Sequence, residues 1–275
     1  MGMIATGTEI TKPMSPGADN YMFRLSMTDR EQVVGLLAYA KKAGVRRIGV
    51  IVETTGYGLG SLKDLDEVAK LQGIEIVSSE RMAVTDTDVS SQLSKMKATG
   101  VDTIVVWTQG TPMGQVMRSM EKVNWFPRVL ASWAADNITF FDAAGKTLAE
   151  KVTFMRPMVE PATAGQKALF ERLKAKLPAP SAFTHAAQGY DAVMVVAAAI
   201  RQAGTTDGNK VRLALEDLKT PAKGVRKVYE HPFTATNHEA FGAQDSFFVK
   251  WSPEGRLVQV NDAVTAALTP ADFKR

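Results

Sequence analysis

The sequence predicts an α/β fold in which a parallel β-sheet is covered by helices on both faces. Between residues 46 and 133, short β-branched runs alternate strictly with amphipathic helical segments, and glycine-marked turns separate them. Short apolar strands joined by helices form a parallel sheet that is buried on both sides. In such sheets, ligands bind beyond the carboxyl ends of the strands.

The elements of this alternating section can be assigned in order. Residues 46–52 form a strand that ends at Glu53, residues 54–60 are predicted to turn the chain, and a helix is predicted for residues 61–72. The later repeats are the strand 74–77 with the helix 89–98, the strand 103–107 with the helix 113–123, and the strand 129–132.

In the flanking segments, helix-capping residues, glycines and turn residues mark where the predicted elements begin and end. Asp29 is predicted to cap the helix 31–43, which Gly44 ends. The other predicted elements are a strand at 21–25, helices at 166–177, 182–203 and 209–218, and a β-hairpin over 245–260 with a Pro-Glu-Gly turn. Residues 3–29 do not form a self-contained unit.

Bulk composition excludes several classes of protein. The chain has 275 residues, a formal charge of +4 and no cysteine, so disulfides and thiolate metal sites are excluded. Its basic residues are mixed with acidic ones, so we expect no nucleic-acid binding. No apolar run reaches the roughly 18 residues of a membrane span. The first residues do not read as a signal peptide, and Met1 is expected to begin in the middle of a fold.

Three loops follow strands and are therefore candidate ligand sites: 56–60, 108–112 and 133–137. Tyr57 and Trp133 are the aromatic candidates, and Gln109, Gly110 and Thr111 offer N–H groups and a hydroxyl that suit a carboxylate or cap a helix. The G-x-G-x-G run at 56–60 leaves a nicotinamide-dependent enzyme as a weaker alternative. The sequence shows no catalytic or metal-binding pattern, and we expect no cofactor.

With these loops assigned, the chain resembles the substrate-binding proteins of branched-chain amino-acid ABC importers, also described as extracellular ligand-binding receptors. The likeness covers nearly the whole chain and is carried by residues 3–8, 23–29, 50–52 with 56–58, 101–106 with 110–112, 189–193, and 236–238 with 247–249.

The resemblance implies a type I periplasmic-binding-protein fold of two α/β lobes that clamp a small carboxylate or amino acid by hinge closure. The first lobe would contain 1–29 and 159–240, the second 30–158 and 241–262, and 263–275 would be a tail. The protein would be no enzyme, would act in the periplasm or outside the cell, and would deliver its ligand to a membrane permease. A ligand-sensing domain of a receptor or regulator is the alternative.

The resemblance also implies a set of ligand-binding residues. The first lobe would supply carboxylate donors, and the second lobe would supply aromatic and polar contacts, with one acid at the first crossover. These residues are Thr6, Gly7 and Thr8 in the first lobe, Tyr57, Gln109, Gly110, Thr111, Trp133 and Ala134 in the second, and Asp29 at the crossover.

Two departures from the family pattern shape the expectations. The family's opening strands and helices are absent, so a truncated first lobe is expected, together with a homodimer or swapped assembly through its exposed edge. Amino-acid-binding members place an acid after the strand 129–132, where this chain has Trp133, although Asp136 lies close. A buried ammonium without a partner costs several kcal/mol, so an aromatic or aliphatic acid is favoured over an amino acid.

Overall fold

The structure is a computed structural model that describes residues 6–12, 19–158, 162–176 and 183–274. The chain forms two compact units. The sheet unit comprises Asp29–Glu160 and Ala243–Arg275, and the helical unit comprises Met1–Thr28 and Pro161–Gly242.

The sheet unit alternates strands and helices as the sequence predicts. Its strands are β1 (Arg47–Glu53), β2 (Glu75–Met82), β3 (Thr103–Trp107), β4 (Arg128–Ala131), β5 (Val152–Arg156), β8 (Phe247–Trp251) and β9 (Leu257–Gln259). Its helices are α1 (Asp29–Lys42), α2 (Gly56–Gln72), α3 (Ser90–Ala98), α4 (Gly110–Lys122), α5 (Ile138–Ala144), α6 (Lys146–Ala149) and α10 (Ala263–Ala266).

One seven-stranded sheet organises this unit, in the order β2-β1-β3-β4-β5-β8-β9. The strands β1 to β5 are parallel, and β8 and β9 join antiparallel at one edge. Every residue of β3 is buried, which is expected of a central strand covered on both faces. Each fully buried valine or isoleucine there contributes roughly 1.5–3 kcal/mol of transfer free energy. The predicted α/β class with a mostly parallel sheet is confirmed.

The C-terminal segment packs on the sheet unit rather than trailing from it. Gln72 donates to the carbonyl of Asp272 (3.0 Å), and Lys42 forms an ion pair with the Asp272 carboxylate (2.9 Å). The Tyr39 hydroxyl on α1 donates to the Asp262 carboxylate (2.7 Å). The segment 263–275, assigned from the sequence as a tail, therefore contains a short helix and residues that bind α1 and α2.

The Tyr39–Asp262 bond makes stability depend on pH in the alkaline range. Burial and the Asp262 carboxylate raise the pKa of Tyr39 to about 12. Because a tyrosine in the unfolded chain ionises near pH 10, the folded state holds this proton more tightly. We expect the unfolding free energy to fall between pH 10 and pH 12, and to fall less in Tyr39→Phe. Urea denaturation of both proteins at pH 8 and pH 11 measures this, and equal pH slopes would contradict it.

Several predicted boundaries in the sheet unit are wrong in detail. The helix predicted for 61–72 begins at Gly56, and the helix predicted for 113–123 begins at Gly110, so both helices include residues assigned to turns. The segment 133–137, assigned to a loop, contains a 3-10 helix (Trp133–Asp136). Asp29 is the first residue of α1 rather than a cap before it. Gly44 ends that helix with φ +86°, as predicted.

The helical unit is built around one long helix. Its elements are α7 (Ala164–Lys174), α8 (Phe183–Ala203), α9 (Gly208–Glu216), β6 (Ala222–Lys223) and β7 (Val228–Tyr229). Val195 and Ala199 of α8 pack with Phe23, Leu215 and Phe233 in one apolar cluster. The strand predicted for 21–25 is wrong, since only Arg24 forms a bridge there, with Glu239. The predicted strand end at Ile4 and Ala5 lies outside the described residues.

A buried carboxylate fixes the hairpin of this unit to α8. Asp191 is fully buried and accepts hydrogen bonds from the backbone of Val225 (2.5 Å) and Arg226 (3.1 Å) and from the Tyr229 hydroxyl (2.8 Å). A side chain at Gly224 would meet this carboxylate at 2.5 Å. The β6–β7 turn therefore wraps closely around a side chain that projects from the buried face of α8.

None of the helices in the described ranges is both long enough and apolar enough to cross a membrane.

Candidate functional site

The candidate site lies at the carboxyl ends of β1, β3 and β4 in the sheet unit. These strands are neighbours in the sheet and run parallel, so the segments after Glu53, Trp107 and Ala131 meet at one edge. The three segments selected from the sequence are thus brought together. This is the edge at which open α/β sheets bind ligands.

The N-terminus of α2 is held against the end of β1. Thr55 caps the helix by accepting a hydrogen bond from the backbone of Tyr57 (3.3 Å). A Cβ atom at Gly58 would lie 2.7 Å from the backbone nitrogen of Glu53 and nearer still to its carbonyl oxygen. Gly56 and Gly60 have open space around them. The glycine at position 58 therefore allows α2 to pack closely against the end of β1. The glycine run lies within this helix and does not form an open loop of the kind that binds a pyrophosphate.

Glu53 ties two of the site's segments together. Its carboxylate is 1% exposed and accepts hydrogen bonds from the Thr108 hydroxyl (2.8 Å), from the backbone N–H of Gln109 (3.0 Å) and from the Thr55 hydroxyl. One carboxylate oxygen accepts the hydrogen bonds from the β3–α4 segment, and the other accepts the hydrogen bond from the β1–α2 segment. Because Thr55 and Gln109 cap the two helices, this one side chain fixes where both helices begin.

The start of α4 offers fewer free donors than the sequence suggests. The N–H of Gln109 already binds Glu53, and Pro112 has no N–H. In an α-helix the first N–H groups have no acceptor within the helix, which leaves those of Gly110 and Thr111 for other partners. Gly110 is buried, and a Cβ there would meet the Thr139 hydroxyl at 2.5 Å, whereas Thr111 is exposed. Thr111 is therefore the most accessible of the predicted residues on this helix.

Tyr57 contributes a neutral phenol to the site. Burial raises its pKa, the carboxylates of Asp29 and Glu53 raise it further, and the hydroxyls of Ser132 and the indole of Trp107 act in the opposite sense. Its ring lies 6.1 Å from that of Trp107, centroid to centroid. The residue as a whole is partly exposed, whereas its phenol is buried.

Trp133 and Arg156 both bind the carboxylate of Asp136. The indole Nε1 of Trp133 donates to the Asp136 carboxylate (2.9 Å), and the Arg156 guanidinium pairs with the same carboxylate (2.9 Å). Both side chains of the ion pair are about nine-tenths buried, at 9% and 11% exposure. Trp133 itself is 6% exposed. The charge of Asp136 is therefore balanced by groups of the sheet unit, and Ala134 beside it is partly exposed.

A buried glutamine connects α1 to this segment. Gln32 accepts a hydrogen bond from the backbone N–H of Trp133 (2.7 Å) and donates to the Asp29 carboxylate (3.2 Å). Gln32 is 1% exposed and Asp29 is 3% exposed. Asp29 therefore lies within the same hydrogen-bond network as Trp133 and is largely buried.

Thr6, Gly7 and Thr8 lie in the helical unit, where a buried arginine binds the backbone carbonyl of Gly7. The Arg24 guanidinium donates to the carbonyl of Gly7 (2.9 Å) and to the Thr11 hydroxyl (3.1 Å), and it pairs with Glu239 (3.0 Å). Arg24 is fully buried. The predicted carboxylate-binding turn is thus anchored through its backbone carbonyl.

The family described as "Periplasmic binding protein" matches residues 3–256. The chain belongs to the periplasmic binding protein family. The fold of that family, with a mostly parallel sheet flanked by helices, is the one described above for the sheet unit.

The chain matches only part of the length of individual family members. It is 26% identical over 211 residues to the leucine-, isoleucine-, valine-, threonine- and alanine-binding protein of Pseudomonas aeruginosa, covering 77% of this chain and 55% of that protein. The chain therefore spans about half the length of this relative. A branched-chain amino-acid ABC transporter structure from Thermus thermophilus with bound valine is similar with a TM-score of 0.77 and 20% identity, covering 98% of this chain and 72% of that one.

A shorter likeness points to an enzyme and does not change the family assignment. The chain is 30% identical over 135 residues to 4-hydroxy-2-oxovalerate aldolase of Geobacillus thermodenitrificans, which covers 48% of this chain and 35% of that enzyme. The periplasmic binding protein match extends over 3–256 and includes both units. The prediction of a non-enzymatic solute-binding protein agrees with that match.

Sequence reasoning missed the residues that organise this site. From the sequence alone, Glu53 is only the end of a strand, Thr108 is only part of a candidate loop, and Gln32 and Arg156 have no assigned role. A carboxylate as the last residue of an otherwise apolar strand was the available signal for Glu53, because a buried acid there needs donors from neighbouring loops. Gln32 and Arg156 gave no such signal, since each binds a residue distant in the chain.

Proposed function

We propose that this chain acts as a solute-binding component of an ABC importer, outside the cytoplasmic membrane, and binds a small amino-acid-like carboxylate. The family match and the names of the Pseudomonas and Thermus relatives, which bind or transport branched-chain amino acids, support this proposal. In it, Thr6, Gly7 and Thr8 bind the carboxylate, Tyr57 and the edge of Trp133 contact the apolar part, and a hinge movement encloses the ligand for a permease partner.

We further propose that the preferred ligand lacks an α-amino group. The observation that carries this is the Asp136 carboxylate, whose Oδ2 accepts from the Arg156 guanidinium and from the Trp133 indole at 2.9 Å each, so that its charge is already balanced by a cation. The Glu53 carboxylate is also occupied, because its two oxygens accept hydrogen bonds from Thr55, Thr108 and Gln109. An ammonium placed beside these groups would have to share the Asp136 carboxylate with Arg156, and burying an ammonium without a balancing charge of its own costs several kcal/mol.

The neutral phenol of Tyr57 is consistent with the same preference. Tyr57 is uncharged at neutral pH, as an ordinary tyrosine is, and therefore supplies no negative charge to balance an ammonium. An uncharged aromatic side chain next to the Trp107 ring suits an aliphatic or aromatic acid.

The test uses pairs of ligands that differ only in the amino group. Calorimetry would compare leucine with 4-methylpentanoate and phenylalanine with 3-phenylpropanoate. We expect the amine-free acid of a pair to bind about ten- to a hundredfold more tightly, which corresponds to roughly 1.4–2.8 kcal/mol. Trp133→Glu, which supplies an acid where amino-acid-binding relatives are inferred to have one, is expected to reverse the order. Circular dichroism would confirm that this variant is folded.

The outcomes separate the two levels of the proposal. Tight leucine binding without binding of 4-methylpentanoate would disprove the ligand preference and leave the solute-binding function intact. Binding of neither class by a folded protein, across aliphatic and aromatic acids and their amino-acid counterparts, would count against the function itself.

A further inference from the structure

A fourth strand of the sheet brings a cation to the edge at which the candidate site lies. β5 is the neighbour of β4 and runs parallel to it, so its last residue, Arg156, lies at the same edge as the 3-10 helix (Trp133–Asp136) that follows β4. On its other side β5 pairs with β8, where Arg156 lies opposite Phe247. Strands on both sides therefore fix the position from which the Arg156 side chain extends.

Asp136 is the most accessible carboxylate of the network at this edge. Its side chain is 11% exposed, whereas Asp29 and Glu53 are buried, at 3% and 1% exposure. The Oδ2 atom of Asp136 accepts hydrogen bonds from Nε of Arg156 and from the indole of Trp133, at 2.9 Å each. Asp136 is therefore the carboxylate of this network that a cationic group of a ligand would reach first.

Arg156 already supplies the positive charge that a ligand ammonium would bring to Asp136. A hydrogen bond between two charged groups is stronger than one between neutral groups. Because the Arg156 side chain is only 9% exposed, solvent screens little of its charge. A second cation at the same carboxylate would be repelled by the guanidinium and would have no anion of its own. An uncharged hydrocarbon group meets no such repulsion.

We infer that Arg156 is a specificity-determining residue, because it occupies the Asp136 carboxylate as an internal cation and so excludes ligands that carry an ammonium group there. This inference rests on the proposed binding of a small carboxylate, and it names the residue that selects among such ligands. An ion pair with a structural role alone would stabilise the sheet unit and leave the ligand preference unaltered. The two roles can therefore be separated by measurement.

Replacing Arg156 by methionine removes the cation and keeps a long side chain. The indole of Trp133 still binds Asp136 in this variant, so the carboxylate keeps one of its two anchors. In calorimetry, the ratio of the affinities for leucine and 4-methylpentanoate should shift at least about tenfold toward leucine. Arg128→Met is the matched control, since Arg128 is the exposed first residue of β4, at the opposite end of that strand. This control should leave the ratio unchanged.

A double variant identifies the partner of the ammonium. Asp136→Asn in the Arg156→Met background removes both charges, so an ammonium again finds no carboxylate at this position. The preference of the unmodified chain should return. An unchanged affinity ratio in Arg156→Met, or a shift toward leucine that persists in the double variant, would overturn the inference.

A second measurement tests the inference without either ligand. Thermal unfolding of Arg156→Met should shift upward more with ethylammonium chloride than with an equal concentration of sodium chloride, because a small ammonium can pair with Asp136 in the folded state. The unmodified chain and Arg128→Met should show no such difference. Equal effects of the two salts on Arg156→Met would overturn the inference.

The same reagents cover the case in which Arg156→Met does not fold alone. Refolding with ethylammonium or leucine should then recover folded protein, whereas 4-methylpentanoate should not, and recovery with none of them would count against the inference. Failure of the proposed function gives a different result. In that case neither leucine nor 4-methylpentanoate binds the unmodified chain or any variant, while ethylammonium still stabilises Arg156→Met.

Discussion

Replacing Glu53 by alanine is expected to lower the unfolding free energy of the sheet unit by about 3–5 kcal/mol. Its carboxylate is 1% exposed and accepts from the hydroxyls of Thr55 and Thr108 and from the N–H of Gln109. Truncation leaves the buried Thr108 hydroxyl and the Gln109 N–H without their acceptor, and it opens a cavity at the end of β1. Unsatisfied buried donors and a cavity are both costly.

The tryptophans allow the unfolding free energy of the sheet unit to be measured separately. Trp107, Trp125, Trp133 and Trp251 are all of the chain's tryptophans, and each belongs to the sheet unit. Urea denaturation followed by tryptophan fluorescence therefore reports on that unit. Glu75→Ala is the matched control, because the Glu75 side chain is 69% exposed and should change stability by no more than about 0.5 kcal/mol.

Glu53→Gln separates the charge of this side chain from its shape. The amide keeps one acceptor oxygen, but its NH₂ group would face either the Thr55 hydroxyl or the Thr108 hydroxyl and Gln109 N–H, which are themselves donors. We expect a loss of about 1–3 kcal/mol, between that of Glu75→Ala and that of Glu53→Ala. If Glu53→Ala were as stable as the unmodified chain, the role of Glu53 in fixing the starts of α2 and α4 would be disproved.

The fold of the sheet unit was predictable because its signal is local. Buried parallel strands are short, apolar and β-branched, as in Val50-Ile51-Val52 and Ile104-Val105-Val106, and each is followed by a helix of a different period. Strand existence follows directly from such patterns. The edge at which the three segments meet then follows from the parallel arrangement, and the structure brings those segments together.

The helix starts were harder to predict because glycine has two uses. Gly56, Gly58 and Gly60 suggested a turn, since glycine weakens helices by about 1 kcal/mol relative to alanine. The structure shows that Thr55 caps α2 and that Gly58 lets the helix approach Glu53 closely. Tertiary contact thus overrides propensity at this position. At Gly110 the same reason holds, because a side chain there would meet Thr139.

The bonding of the site residues could not be read from the sequence. Trp133 binds Gln32, and Asp136 binds Arg156, and these pairs are separated by 101 and 20 positions. No local pattern identifies such partners. The sequence alone therefore offers Asp136 as a partner for a ligand ammonium, whereas the structure shows its carboxylate paired with Arg156. The strand predicted for 21–25 failed for a related reason, because Arg24 meets Glu239 in a single bridge and not in an extended ladder.

Replacing Gly58 by alanine is expected to destabilise the sheet unit by about 3 kcal/mol. The added Cβ would lie 2.7 Å from the backbone nitrogen of Glu53 and closer to its carbonyl oxygen, and backbone atoms cannot move aside as a flexible side chain can. The start of α2 must then shift away from β1. That shift would also displace Tyr57 and weaken the Thr55–Glu53 hydrogen bond.

Gly60→Ala is the matched control for this prediction. Gly60 lies in the same helix, and nothing lies within 4 Å of a Cβ added there. Alanine at this position should raise the unfolding free energy by about 0.5–1 kcal/mol, because it lowers the entropy of the unfolded chain and favours the helix. Two substitutions of the same chemistry, two residues apart, should therefore have opposite signs in tryptophan-monitored urea denaturation. Equal effects would mean that the close approach of α2 to β1 does not constrain Gly58.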